Sequence, residues 1–122
     1  MSNPVIDEDG NKFWYVNGKP HRIDGPAVEN ANGNKTWYIH GKLHRIDDGP
    51  AFEQRDGYKA WYVNGERHRL DGPAVEYANG DKDWWVNDVI LDSPLDLLEH
   101  GARLEDIAEY LTPREIAKCR TQ

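Results

Sequence analysis

One stretch is written three times and begun a fourth, and it constrains the fold more than any other feature. Residues 61–74 read WYVNGERHRLDGPA; WYVNGKPHRIDGPA runs from Trp14, WYIHGKLHRIDDGPA from Trp37, and WWVND starts at Trp84 and breaks off. The opening tryptophans, Trp14, Trp37, Trp61 and Trp84, are 23, 24 and 23 residues apart. The longer middle interval reflects the doubled aspartate of Ile46-Asp47-Asp48-Gly49. A period of this size marks a repeat architecture, in which each unit buries its apolar face on its neighbour and a large globular core is not required. That suits a chain of 122 residues of which only 38% are hydrophobic, but which carries five Trp and six Tyr as large buriable surfaces.

Two strands per unit are predicted. The first is Lys-x-Trp-Tyr-Val, as at residues 12–16: short, aromatic, β-branched and alternating. Asn17-Gly18 follows, a pair suited to positive φ at a tight turn. The chain runs on through His21-Arg22-Ile23 to Asp24-Gly25-Pro26, where Pro26 has no N–H to give a ladder. Ala27-Val28-Glu29 forms the second strand, and Asn32-Gly33, Asp56-Gly57 and Asn79-Gly80 turn each unit into the next. Seven or eight strands in an up-and-down meander result, with Val5 and Ile6 available as an added edge strand. Adjacent units then stand about 9–10 Å apart, two strand spacings, and equivalent residues line up in columns. The Trp, Val and Pro columns are expected inside, and the Tyr, Lys and Glu columns toward water.

The pattern stops after Asn87-Asp88, where Asp replaces the earlier Gly. Residues 1–88 are therefore assigned to about three and a half repeats and residues 89–122 to a helical cap. In the cap, Ser93-Pro94 starts a helix that Gly101 ends, a second helix spans Leu104 to Leu111, and Thr112-Pro113-Arg114-Glu115 is a full capping box for a third. A solenoid's last unit leaves an apolar face to cover, which gives such a tail its role. The expected fold class is mainly β: a single-layer, elongated antiparallel sheet of repeated β-hairpins with a short α-helical C-terminal cap.

The period, the aromatic pair, the Asn-Gly-Lys turn, the following His and the closing Asp/Asn-Gly resemble MORN-type repeats. The GPA segment followed by an acidic residue is similar to divergent MORN-like repeats in uncharacterised bacterial, phage and large-virus proteins. The resemblance covers residues 9–88. Where MORN repeats usually carry Gly after the His, this chain has Arg22, Arg45 and Arg69. The resemblance implies an elongated hairpin sheet with a scaffold or interaction role and no catalytic residues. The phage likeness implies a small inhibitor or adaptor of a host protein, working in the host cytoplasm.

Charge narrows the partners. The net charge of −7 and pI near 5.1 oppose generic attraction to nucleic acid and to anionic membranes. The tail offers no basic arm either: residues 89–122 hold seven acids and four bases, a net −3. The acidic start MSNPVIDEDG is unlike a signal peptide, no apolar run approaches membrane-spanning length, and the single Cys119 can form no internal disulfide. A cytoplasmic protein is expected.

The tryptophan column fits a stacking platform for bases or sugars or, preferably, a hydrophobic spine. The next column, Tyr15, Tyr38, Tyr62 and Trp85, is the candidate for an exposed binding face. His21/Arg22, His44/Arg45 and His68/Arg69 recur with an aspartate close behind. They are either a cationic ladder for an anionic partner or, the preferred reading, internal bonds: Arg to the nearby Asp and His to the turn backbone. Unit two departs from its siblings at His40, at Asp47-Asp48 and at Phe52. It is the first place to look for a specific contact.

No metal site is expected, because zinc ligands must converge within about 4 Å while the His column steps by about 9–10 Å, and His40 with His44 makes only a pair. No cofactor is expected either, since the glycines fall singly at turns. Ser2 and Ser93 are the only serines; Ser2 stands at the terminus and Ser93 is read as a helix cap, so neither is expected to be a nucleophile held by a base and an orienting group. The function expected is a non-enzymatic protein–protein interaction module. Its interface candidates are Tyr15, Tyr38, Tyr62, Trp85, His21, Arg22, His40, His44, Arg45, His68 and Arg69. The alternative is a binder of small anionic ligands or nucleotides through the His-Arg column. Self-association through the free sheet edge at Val5-Ile6 is a further route.

Overall fold

Two hairpin turns per period build the molecule, and they are of two kinds. At Asn17-Gly18, His40-Gly41, Asn64-Gly65 and Asn87-Asp88 both residues have positive φ, from 48° to 87°. This is the two-residue type I′ geometry, whose twist matches that of its flanking strands. Asp88, at φ 68°, therefore does the work of the glycines it replaces. The other turns are longer. Asn30 N–H donates to Asn34 O at 2.9 Å while Gly33 N–H donates back to Asn30 O at 3.0 Å, with Gly33 at φ 100°. The same pair of bonds closes the turns at residues 7–11, 54–58 and 77–81.

The computed structural model describes residues 3–121, so Ser2 lies outside the described residues. The architecture is mainly β, with fifteen short strands in antiparallel hairpin sheets and short helices near the C-terminus. Nine strands form the main sheet, in the order β1 (Val5–Ile6), β2 (Lys12–Phe13), β5 (Val28–Glu29), β6 (Lys35–Thr36), β9 (Phe52–Glu53), β10 (Lys59–Ala60), β13 (Val75–Glu76), β14 (Lys82–Val86) and β15 (Val89–Leu91). Beside it stand three small hairpins, β3 (Tyr15–Val16) with β4 (Lys19–Pro20), β7 (Tyr38–Ile39) with β8 (Lys42–Leu43), and β11 (Tyr62–Val63) with β12 (Glu66–Arg67). The main sheet runs from β1 to β15 without closing on itself.

The expected first strand is thus cut in two at its tryptophan, because there the chain changes partner. Trp14 N–H donates to Ala27 O at 2.8 Å, on the main-sheet side, and Trp14 O accepts from His21 N–H at 3.0 Å, on the hairpin side. Trp37 and Trp61 repeat this with Ala51 and His44, and with Ala74 and His68. The proline-interrupted joint between the two half-partners makes the change of partner necessary. The small hairpins are linked in turn, by Gly41 N–H to Pro20 O, Gly65 N–H to Leu43 O and Asp88 N–H to Arg67 O at 2.8–2.9 Å.

Register on the main sheet sets lysine against glutamate at every step: Lys12, Glu29, Lys35, Glu53, Lys59, Glu76 and Lys82 are successive Cα partners. Opposite charges facing across strands are favourable. The next row holds Phe13, Val28, Thr36, Phe52, Ala60, Val75 and Asp83. Phe52, Tyr58 and Tyr77 continue as edge-to-face aromatic pairs, with centroids 5.9 and 5.6 Å apart.

Val89–Leu91 complete a hairpin with β14, so pairing continues three residues past the expected end of the repeats. A 3-10 helix follows at Pro94–His100, where an α-helix was expected, and the Ser93 side chain makes no capping bond. Gly101 ends it at φ 99°. Leu104–Ile107 is α-helical and Ala108–Tyr110 3-10, so the expected second helix is interrupted. The last helix, Pro113–Arg120, has the full capping box expected at Thr112 and Glu115. Val86, Leu97, Ile107 and Leu111 form the core at this end, with Leu70, Trp84, Leu91 and Tyr110 packed on it.

Candidate functional site

Each arginine of the His-Arg pairs is held from four directions within its own unit. The guanidinium carbons of Arg22, Arg45 and Arg69 lie 3.8, 3.9 and 3.9 Å from the ring centroids of Trp14, Trp37 and Trp61. Nε donates to Asp24, Asp47 and Asp71 at 3.0, 2.5 and 2.8 Å. Nη1 donates to the carbonyls of Pro26, Pro50 and Pro73 at 3.2, 3.1 and 3.0 Å. The same nitrogen faces Glu29, Glu53 and Glu76 at 3.5, 3.3 and 3.1 Å. The bond from Arg45 holds the Asp47 carboxyl below its ordinary value. Glycine completes the clamp: a Cβ on Gly25, Gly49 or Gly72 would fall 2.8, 2.7 or 2.6 Å from the guanidinium carbon. Thus Trp, Arg, Asp, Gly, Pro and Glu of the repeat are parts of one joint, and each arginine stands between two carboxylates.

The histidines join successive units. Nδ1 of His21, His44 and His68 accepts the backbone N–H of His40, Asn64 and Asn87 at 2.9, 3.1 and 3.1 Å. Each acceptance places a ring nitrogen against the first positive-φ residue of the next hairpin turn, so that nitrogen carries no proton. His40 also packs against His21, with ring centroids 4.4 Å apart and the rings tilted by 35°. Among the described residues, no three His, Cys, Asp or Glu side chains gather where they could hold a metal ion.

The aromatic columns separate as follows. Trp14, Trp37 and Trp61 are 8–9% exposed and form the spine. Trp84 has no arginine clamp of its own and meets Tyr110 edge-on at 6.3 Å. Of the four interface aromatics, Tyr15 is 45% exposed, whereas Tyr38, Tyr62 and Trp85 are half-buried. Trp85 lies beneath the Arg67 guanidinium at 4.7 Å. In unit two, Asp48 adopts φ 67° and turns its carbonyl to accept from Trp61 Nε1 at 3.2 Å. The inserted aspartate therefore makes an internal bond between units.

A column that does not stand out in the sequence is more open. Ile23 and Ile46, which follow the first two His-Arg pairs, are 68% and 56% exposed. Val16 and Val63, of the Val column expected inside, are exposed; with Ile23, Ile46 and the half-buried Ile39 and Leu70 they line three depressions, one per unit, the third without either isoleucine. The first, of about 430 Å³, is lined by Trp14, Val16 and Ile23. The second, of about 360 Å³, lies among Ile23, Trp37, Ile39 and Ile46. The third, of about 390 Å³, lies among Trp61, Val63 and Leu70. Asp24, Asp47, Asp48 and Asp71 border them. The signal in the sequence was an aliphatic residue set between Arg and Asp in every unit, where an exposed loop has no packing reason to carry one.

Comparison of the sequence with protein-family models, and of the chain with curated proteins and with solved structures, yields no match.

Proposed function

We propose that this chain is a non-enzymatic interaction module that binds a protein partner through the open aliphatic face of its repeats. One observation carries the reading: Arg22, Arg45 and Arg69 are engaged inside their units, while Ile23 and Ile46 stand exposed beside them. Apolar side chains repeated along one face, with a charged border, are the surface that protein association desolvates. An anionic ligand would meet, at each arginine, two carboxylates already in place, which opposes the anion-binding reading. The resemblance of the repeat to MORN-type units supports a scaffold, and such a module acts as adaptor or inhibitor by covering its partner's surface.

Affinity capture from the native host with the wild type and with Ile23→Asp/Ile46→Asp tests this. A partner retained by the wild type and lost by the double variant is expected. Equal retention by both, or tight phosphate or nucleotide binding lost on Arg22→Lys/Arg45→Lys, overturns the reading.

A further inference from the structure

The main sheet ends in two different half-units. At one edge, β1 is the second strand of a unit without a hairpin: Ile6 faces Lys12 as Glu29 faces Lys35 and Glu76 faces Lys82. At the other, β14 and β15 are the first strand and hairpin of a unit without a second strand. β15 pairs with Trp84, Trp85 and Val86 alone, and among the described residues no strand lies beyond Lys82 and Asp83 on that side. Neither edge is blunted by charge, as sheet edges usually are. Val5 and Ile6 are each 58% exposed, and Val89 and Ile90 62% and 54%. Ile6 stands where interior strands carry glutamate, and Val89 where they carry Lys19, Lys42 or Glu66.

We infer that copies of the chain join head to tail: β1 of one copy lies beside Lys82 and Asp83 of the next and completes its fourth unit, while β15 of that next copy lies along the hairpin of unit one. The joints inside the chain are the template. There the N–H groups of Gly41, Gly65 and Asp88 donate to the Pro20, Leu43 and Arg67 carbonyls of the preceding hairpin, and those of Arg22 and Arg69 donate to the Tyr38 and Trp85 carbonyls. The equivalent groups of unit one, Gly18 N–H and the Tyr15 carbonyl, have no such partner among the described residues. The outer edge of β15 offers the matching pair, the Ile90 carbonyl and the Asp92 N–H. Leu91 replaces the histidine, so the new joint has one link fewer than those inside the chain. Side chains agree with the bonds. Inside unit one Arg22 faces Glu29. In the completed fourth unit both members of that pair are replaced, Arg by Asp92 and Glu by Ile6, so no carboxylate is set against Asp92. Strand direction selects this arrangement over the pairing of like edges. Head to tail, β1 runs antiparallel to β14 as β5 does to β2, whereas β1 set against a second β1 leaves both fourth units incomplete.

The experiment follows the mass of the full chain by sedimentation, from micromolar to millimolar concentration, with two edge variants, Val5→Asp/Ile6→Asp and Val89→Asp/Ile90→Asp. All four side chains are exposed, so both variants are expected to melt as the wild type does. Wild-type mass should rise with concentration past that of two copies, because a head-to-tail joint does not close on itself. Each variant alone should stay monomeric, since each has lost one of the two edges that the joint needs. Their equimolar mixture should form a species of twice the monomer mass and nothing larger, because the one intact edge of each meets that of the other. In the wild type, the Gly18 amide should exchange at least about tenfold more slowly in the associated state. A wild type that is monomeric throughout, a variant that associates on its own, or a mixture that stays monomeric overturns the inference. So does Gly18 exchange that is unchanged on association. None of these results touches the aliphatic-face reading, on which the inference does not rest.

Discussion

At the scale of the residue, the arginine after each histidine has the most contacts to lose. Arg69 touches a Trp face, an Asp, a Pro carbonyl and a Glu at once, with its side chain only 17% exposed. Lysine keeps the charge but not the planar fork or the stack. Arg69→Lys is expected to cost about 1–3 kcal/mol, read from the urea midpoint. Asp71→Ala, at an exposed carboxylate, is expected to cost less than about 1 kcal/mol. Gly72→Ala should resemble Arg69→Lys, because its Cβ takes the place of the guanidinium. A second residue-scale test concerns Tyr77, whose hydroxyl donates to Asp83 at 2.7 Å and whose pKa that bond pushes up to about 12. A raised tyrosine adds stability in full below its unfolded value near 10 and loses it as pH rises through the folded one. Phenolate absorbance should show a late step near pH 12, and Asp83→Asn should move it earlier. The Arg–Asp pairing and the His-to-turn bond were legible in the repeat. The Trp stack and the glycine contact were not, because residues eight positions before the arginine and three or four after it meet it only through the folded joint.

At the scale of the element, turn chemistry was the most readable part of the chain. Asn-Gly marked the two-residue turns, and the second set of Asn/Asp-Gly pairs marked the longer ones, because positive φ leaves few residue types comfortable. Gly65, at φ 87°, makes this testable: Gly65→Ala should cost about 1 kcal/mol, whereas an exposed substitution such as Glu66→Ala should lie within about 0.5 kcal/mol. The break of each first strand at its tryptophan was not readable. Lys12 to Val16 alternates cleanly, and nothing local says that the residues before Trp14 pair with Val28-Glu29 while those after it pair with Lys19-Pro20. Partner choice is a property of the joint between those segments. The helix from Thr112 was readable from its capping box, while Pro94–His100 tightened to 3-10 geometry without a side-chain cap.

At the scale of the whole molecule, stability is unevenly placed. The repeats bury mainly tryptophan rings and the alanines Ala27, Ala51 and Ala74, whereas branched aliphatic side chains collect where the cap meets the fourth unit. Leu97, with no exposed surface, is the keystone there. Leu97→Ala is expected to cost about 2–5 kcal/mol and to loosen β14 and β15 before the first two units, which hydrogen exchange would resolve. A cap is legible here because a solenoid must cover its last face. The open depressions upstream are not legible, since Ile23 and Ile46 look in sequence like minor residues between charges. The central claim is that the repeated charged residues build the protein while the exposed aliphatic column binds its partner. Its most direct test is partner retention measured, with melting temperature, on Ile23→Asp/Ile46→Asp and on Arg22→Lys/Arg45→Lys in parallel. The isoleucine variant should lose the partner at an unchanged melting temperature, and the arginine variant should melt lower yet retain the partner below its transition. An arginine variant that loses the partner without melting lower, beside an isoleucine variant that keeps it, would contradict the account.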